Sequence, residues 1–482
     1  MLEAINFGSQ LSMAVEIYLV LILLYAVTIM GSYLVLGYLS VKELKDYLTR
    51  NSFVNYEVLL SSEFSPKLSL IAPAYNEGLT IKENVKSLLS LNYNNYEVIV
   101  VNDGSKDNSM EILIKTYDLE VVEMDLDIKL ITKRIRNIYR SKNQAYKKLL
   151  VVDKDNGGKA DALNVGLNIA RNPYAVCIDV DCILDKDSLL KLAKPFMEND
   201  GKRVIATGGV VRIANQCVIK DGRLIEVNVP DRMLPRIQVL EYLRAFLLGR
   251  MAWERLDGLL LISGAFGAFD KEIAIQAGGY DTKTVGEDME LVVRMRRYML
   301  ENKLPYTVSY IPDPLCWTEA PENATIFKKQ RSRWMRGTIE TLFIHKKMFM
   351  NPKYKLLGMV SVPYWTFFEF LAPLIEFVGI LITLVFLAFG LLNWKLFLLL
   401  ILFVYVFAVM FSVLGLLSEE LTYHKYPKIK DFLKLLGAAL IEPIYFHPLG
   451  VYSALVGYWE KLMGKKTWGE MTRQGFQKKP GS

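Results

Sequence analysis

"KKLLVVDKDNGGKADALNVGLNIARNPYAVCIDVDCIL", Lys147 to Leu184, decides the fold. An apolar run, Leu149 to Val152, reads as a strand. A polar loop with two glycines follows, and then a helical segment to Ala170. A second apolar run, Tyr174 to Leu184, reads as another strand. The same order appears upstream. "KLSLIAPAYNE" (Lys67 to Glu77) is a β-rich run ending in a polar loop. Leu79 to Asn92 has helical spacing of Ile81, Val85, Leu88 and Leu89. "YEVIVVNDGSKD" (Tyr96 to Asp107) is a strand ending in a turn, and "MEILIKTY" is again helical. Strand, loop and helix in repetition predict a parallel sheet with helices on both faces. Ligands of such sheets sit beyond the carboxyl ends of the strands. The clusters Asn76-Glu77, Asn102-Asp103-Gly104 and Asp179-Val180-Asp181 all fall there, so they are expected to converge on one site.

Asp179 and Asp181 stand inside an apolar run, where carboxylates are costly unless paired. At strand spacing, i and i+2 share a side. Two such carboxylates can hold a hard divalent cation, Mg²⁺ or Mn²⁺, completed by phosphate oxygens of a substrate. The plainer reading is a cap for the next helix, with Asp185 or Asp187 better placed. In "DNGGKADALN", Gly157 and Gly158 let backbone approach a ligand, and Lys159 can face phosphate at a helix start. Neither a Walker A loop nor a GxGxxG fingerprint is present there.

"GED", Gly286 to Asp288, opens a helical stretch. An acidic pair at a helix start is ordinarily capping and dipole compensation. The functional alternative makes one carboxylate a general base for a sugar hydroxyl. In "FKKQRSRWMRG", Gln330, Arg333, Trp334 and Gly337 fall on about one helical face. Arginine clamps phosphates and tryptophan offers a platform for a sugar ring. The alternative is a basic helix at lipid headgroups with Trp334 as anchor.

The chain of 482 residues is 52 % hydrophobic and 23 % charged, and the apolar content concentrates at its two ends. Ile17 to Val41 is uncharged and long enough to span a bilayer. No basic residue precedes it, so it does not read as a cleavable leader. Lys42, Lys45 and Arg50 follow it, which places the next domain in the cytoplasm. Leu356 to Trp394 is too long for one straight span, and its start is expected along the interface. Leu396 to Ser418 is a clean span. Leu435 to Trp459 is interrupted by "IEPIYFHP", so it either re-enters or forms a hairpin, or the basic tail defies the charge rule. Juxtamembrane lysines and arginines account for much of the +7 net charge, and no nucleic-acid partner is implied. The four cysteines form no CxxC pair and are expected as free thiols.

In this combination and order, "NDGSKD", "NGGKADALN", "DVD", "GED" and "QRSRW" over Tyr75 to Gly337 resemble the membrane-integrated family 2 glycosyltransferases. That group includes cellulose, chitin, hyaluronan and poly-N-acetylglucosamine synthases. The resemblance implies an α/β fold: a GT-A (Rossmann-like) cytoplasmic domain with flanking transmembrane and interfacial helices. The expected segments are a first span (1–41), the transferase domain (42–355), a C-terminal membrane region (356–460) and a basic cytoplasmic tail (461–482). By the same resemblance, Glu77 and Asp103 contact uridine and Lys159 lies near the diphosphate. Asp179 and Asp181 bind the diphosphate through Mg²⁺ or Mn²⁺. Asp288 is the general base, Gln330 and Arg333 bind the diphosphate, and Trp334 stacks on the acceptor. "NDG" stands where many relatives have two aspartates, and "GED" replaces the commoner TED.

The implied activity is inverting transfer from a UDP-sugar, UDP-GlcNAc or UDP-Glc, to a growing β-linked polysaccharide that leaves through the spans of a multi-pass plasma-membrane protein. Membrane lipids and an accessory export subunit are the further partners implied. A non-processive enzyme acting on a glycolipid or other lipid acceptor shares the QxxRW-like signature and is told apart by product size. A scaffold or transporter with a degenerate transferase domain is disfavoured because Asp103, Asp179, Asp181 and Asp288 are all present.

Overall fold

The computed structural model describes residues 2–198, 201–220 and 222–465. Its strands, in chain order, are β1 (Leu68–Ala74), β2 (Tyr96–Asn102), β3 (Leu119–Val121), β4 (Ile135–Ser141), β5 (Leu149–Lys154), β6 (Tyr174–Ile178), β7 (Ile183–Leu184), β8 (Arg203–Ile213), β9 (Val218–Lys220), β10 (Arg223–Glu226), β11 (Phe266–Asp270) and β12 (Tyr306–Thr318). Ten of them form one sheet in the order β3-β4-β5-β2-β1-β6-β11-β8-β12-β7, while β9 and β10 make a separate hairpin. The central strands β5, β2, β1 and β6 are parallel. They are apolar almost throughout because helices cover both faces: Leu70, Ile71, Val98, Val100, Val151 and Val176 are all fully buried. Burying each such side chain contributes about 1.5–3 kcal/mol.

The parallel sheet expected from the sequence is only this central part. β11 runs antiparallel to both β6 and β8, and β4 runs antiparallel to β5. A second correction concerns the acidic pair. β6 ends at Ile178, and the Cys182 N–H donates to the Asp179 carbonyl at 3.0 Å, closing a turn. Asp179 and Asp181 therefore sit on a turn rather than along a strand, and strand alternation does not orient them.

The helix Lys159–Ile169 begins at Gly158, whose φ of 87° suits glycine. It lies directly on β1: a Cβ at Gly166 would stand 2.1 Å from Ile71 Cγ2. This close seating carries Lys159 to the carboxyl edge of the sheet.

The first helix runs Leu2–Asn51 without a break. Among the described residues three helices are long and apolar enough to cross a membrane: Val15–Asn51, Phe397–Thr422 and Ile429–Leu462. The helix pair Leu357–Phe370 and Ala372–Ala388, bent by 41°, raises the number to four if it counts as one span. The hairpin or re-entrant form considered for Leu435 to Trp459 is corrected: Ile429–Leu462 is one helix with Pro443 and Pro448 inside it. Both its ends are fastened to the sheet-bearing domain. Lys434 pairs with Asp231 at 2.7 Å near the start, and Lys461 pairs with Glu340 at 2.8 Å near the end. The Arg336 guanidinium donates to the Lys465 carbonyl at 3.0 Å. The helix is thus tied to the sheet-bearing domain near both ends, while its middle packs against the apolar helices, Glu442 with Ser412 and His447 with Glu376. The basic tail from Lys466 onward lies outside the described residues. All four cysteines are free and buried.

Candidate active site

The loop after β5 is built around Asp103. One of its carboxylate oxygens accepts the Gly157 N–H at 2.9 Å and the other the Gly158 N–H at 2.8 Å. Lys154, fully buried, is hydrogen-bonded to Asp103 and lies 2.7 Å from Asp161. A buried lysine between two aspartates is tolerable only as such a closed network. Asp103 thus reaches the site mainly through the backbone it shapes. Sequence reasoning missed Lys154 and Asp161; the one available signal was a lysine closing an apolar strand.

The neighbouring loop is stitched to this one. Asn76, at φ 56°, donates its N–H to Ser105 Oγ at 2.9 Å, and the Gly78 N–H reaches Asp107 Oδ2 at 2.8 Å. Four hydrogen bonds hold the Asp107 carboxylate below the usual range against a burial that raises it. Glu77 accepts from the Thr80 hydroxyl at 3.1 Å.

Lys159 joins the acidic elements. Its ammonium lies 2.5 Å from Asp179 Oδ1 and 3.7 Å from Glu287 Oε1. Burial disfavours its charge, yet Asp179, Glu287 and Asp288 together raise its pKa above the ordinary lysine value. Glu287 itself is pushed up to about 7, chiefly by burial, with Asp288 adding and Lys159 and Arg333 opposing. Asp288 opens the helix Glu287–Glu301 and is only half-buried. The Gly264 N–H holds its Oδ2 at 2.9 Å and its own helix's Met289 N–H holds Oδ1 at 2.8 Å.

The helix Ala324–Ile344 forms the other wall. It crosses the start of the Glu287–Glu301 helix at two glycines: a Cβ on Gly286 would lie 2.6 Å from Gly337 Cα. The Gly of "GED" is thus matched to the Gly that follows "QRSRW". Trp334 is half-exposed, with the Arg331 guanidinium over its ring at 4.1 Å. Arg331 is held by both oxygens of Glu241 at 2.6 Å. Gln330 Oε1 is buried and without a hydrogen-bond partner among the described residues.

Glu77, Asp103, Lys159, Asp179, Asp181, Asp288, Gln330, Arg333 and Trp334 all line one cavity. It measures about 3510 Å³ and continues among the apolar helices to Glu369, Glu376, Glu442 and His447. The structure therefore brings these nine residues to a single space. Among the described residues no group of three or more His, Cys, Asp or Glu side chains is placed to hold a metal ion. The two hard carboxylates Asp179 and Asp181 fit a divalent cation that takes its remaining ligands from substrate oxygens.

A parallel-centred α/β sheet with acids at its carboxyl edge, walled by a Gln-Arg-Trp helix, defines a GT-A-type domain joined to helices apolar enough to cross a membrane. Residues 69–216 match the profile "Glycosyl transferase family 2", and residues 174–411 match "Glycosyl transferase family group 2". Over this stretch the chain belongs to the family 2 glycosyltransferases. It is 28 % identical, over 60 % of its length and 59 % of the relative's, to a poly-beta-1,6-N-acetyl-D-glucosamine synthase of Staphylococcus epidermidis. The identity to the synthase of the same name from Staphylococcus aureus (strain COL) is 27 %, over 66 % of this chain and 65 % of that one. The chain thus spans about three-fifths of the length of the curated relatives it matches. Among solved structures, a mannosyltransferase from Pyrobaculum calidifontis, determined with GDP-Man and Mn²⁺, aligns over 90 % of this chain and 99 % of its own. Its TM-score is 0.50 at 15 % identity, a likeness of fold.

Proposed function

We propose that the chain transfers a sugar from a UDP-sugar to a growing β-linked polysaccharide and extrudes the product through the apolar helices of a multi-pass plasma-membrane protein, with its site on the cytoplasmic side. The observation that carries this reading is the single cavity joining Asp288, Arg333 and Trp334 to the membrane-level residues Glu376 and Glu442. A lipid-modifying transferase needs no such passage through its helices. The names of the curated relatives favour an N-acetylglucosamine donor, UDP-GlcNAc, over UDP-Glc.

In this reading Glu77 contacts the nucleoside, and Asp103 fixes the loop beneath it. Asp179 and Asp181 hold Mg²⁺ or Mn²⁺, which supplies positive charge against the diphosphate when bound. The mannosyltransferase of like fold was solved with Mn²⁺. Trp334 stacks on the acceptor sugar. Asp288 takes the acceptor hydroxyl proton as that oxygen attacks the anomeric carbon. Two N–H donors keep it oriented. Gln330, Arg333 and Lys159 receive the leaving diphosphate. The attack inverts the anomeric centre, so an α-linked donor gives a β-linked product. Membrane lipids surround the helices, and an accessory export subunit is compatible with the route. The test is product sizing after incubation with UDP-GlcNAc: long polymer supports the proposal, whereas a lipid bearing one or a few sugars overturns it.

A further inference from the structure

The charged groups of the cavity's inner section are of two kinds. Arg244 is hydrogen-bonded to both oxygens of Glu442, and Ser412 Oγ donates to Glu442 Oε2 at 2.7 Å. His447 Nε2 stands 2.8 Å from Glu376 Oε2. These are closed pairs that staple one helix to another. Arg250 and Glu369 are different, although both line the same cavity. Arg250 ends the π-helical stretch Arg244–Arg250, and its guanidinium is fixed over the Phe246 ring at 3.9 Å. Its Nε and Nη1 are buried with no hydrogen-bond partner among the described residues. Glu369 lies in the stretch Trp365–Phe370, just before the 41° bend, and is exposed to the cavity. Among the described residues its carboxylate meets no hydrogen-bond donor. Their two helices meet about one turn from each residue, where the ring centroids of Trp253 and Tyr364 stand 4.9 Å apart. Two opposite charges thus share one section of the passage without satisfying each other.

An unsatisfied guanidinium and an unpaired carboxylate in a passage walled by apolar helices are both costly unless a ligand meets them. A ligand that satisfies both must present an acceptor to Arg250 and a donor to Glu369. A trans amide does this with one rigid group, because its C=O and N–H point in opposite directions. A hydroxyl rotates and offers no such fixed pair, and a uronate would face Glu369 with like charge.

Resting on the function proposed above, we infer that Arg250 and Glu369 form a subsite gripping a 2-acylamido sugar of the nascent glycan, Arg250 donating to the amide carbonyl and Glu369 accepting from the amide N–H. The subsite would select N-acylated chains behind the acceptor position, separately from donor choice. The test uses the full-length protein in detergent, with UDP present, and measures binding of short β-linked N-acetylglucosamine oligomers against glucose and de-N-acetylated glucosamine oligomers of equal length. In the wild type the N-acetyl oligomer should bind at least about ten-fold more tightly than the glucose oligomer. In both Glu369→Gln and Arg250→Gln that preference should collapse while UDP binding is kept. UDP binding confirms that each variant is folded, and either variant alone suffices. A wild type without preference, or variants that retain it, overturns the subsite. Failure of the wild type to make polymer, with the oligomer preference intact, would count against the proposed function and leave the subsite standing.

Discussion

At the residue scale, two neighbouring carboxylates divide the work by burial. Asp288 is reachable from the cavity, while Glu287 is 4 % exposed and faces Lys159. Asp288→Asn keeps size and one of the two N–H contacts but removes the basic electron pair. It should lower turnover at least about 10²-fold, the scale of general-base catalysis, while UDP binding measured by calorimetry stays near wild type. Full activity would remove Asp288 from the base role. Glu287 gives a pH prediction. Its folded pKa is about 7 against an unperturbed 4.5, so between these values the folded state binds more protons than the unfolded one. Stability from this group is therefore complete below pH 4.5 and is lost as pH rises through about 7. Thermal midpoints of Glu287→Gln should lack that decline, and an identical pH profile in variant and wild type would contradict it. The acidic pair and its place at a helix start were legible in the sequence. The division between its members was not, because it comes from burial set by tertiary packing, which no local pattern records.

At the element scale, the strands that read most clearly were those buried on both faces, since an unbroken apolar run needs no partner to be recognised. The "DVD" strand was read too long for the same reason: Val180 and Cys182 to Leu184 are as apolar as a strand, but a turn at Asp179 diverts them. Neighbour order was not legible at all. Nothing local announces that β11 inserts between β6 and β8, because the pairing residues lie far apart in the chain. Close packing carries its own prediction. A methyl added at Gly166 would meet Ile71 at 2.1 Å, beneath the helix that positions Lys159. Gly166→Ala should cost about 1–3 kcal/mol, the scale of overpacking a core, seen as a lower thermal midpoint. Combining it with Ile71→Ala should restore part of the loss; no loss in the single variant would mean the helix can lift off the sheet freely.

At the scale of the whole molecule, composition located the membrane-seeking ends but not the course of the last helix. Ile429–Leu462 has the length of a span, yet Lys434–Asp231 and Lys461–Glu340 tie both its ends to one domain. A tag fused after Ser482 should therefore be protected or cleaved together with the catalytic domain in oriented vesicles. A tag accessible from the opposite face would show that this helix crosses. The central claim is that residues from five separate loops and helices make one donor site. The most direct measurement is UDP release by the purified protein with Mn²⁺ or Mg²⁺ across a panel of UDP-sugars, each repeated after chelation. The account predicts release with one preferred donor, a UDP-N-acetylhexosamine, lost on chelation and regained with metal. Tight UDP binding without release from any donor, in the presence of acceptor oligomers and metal, would contradict it.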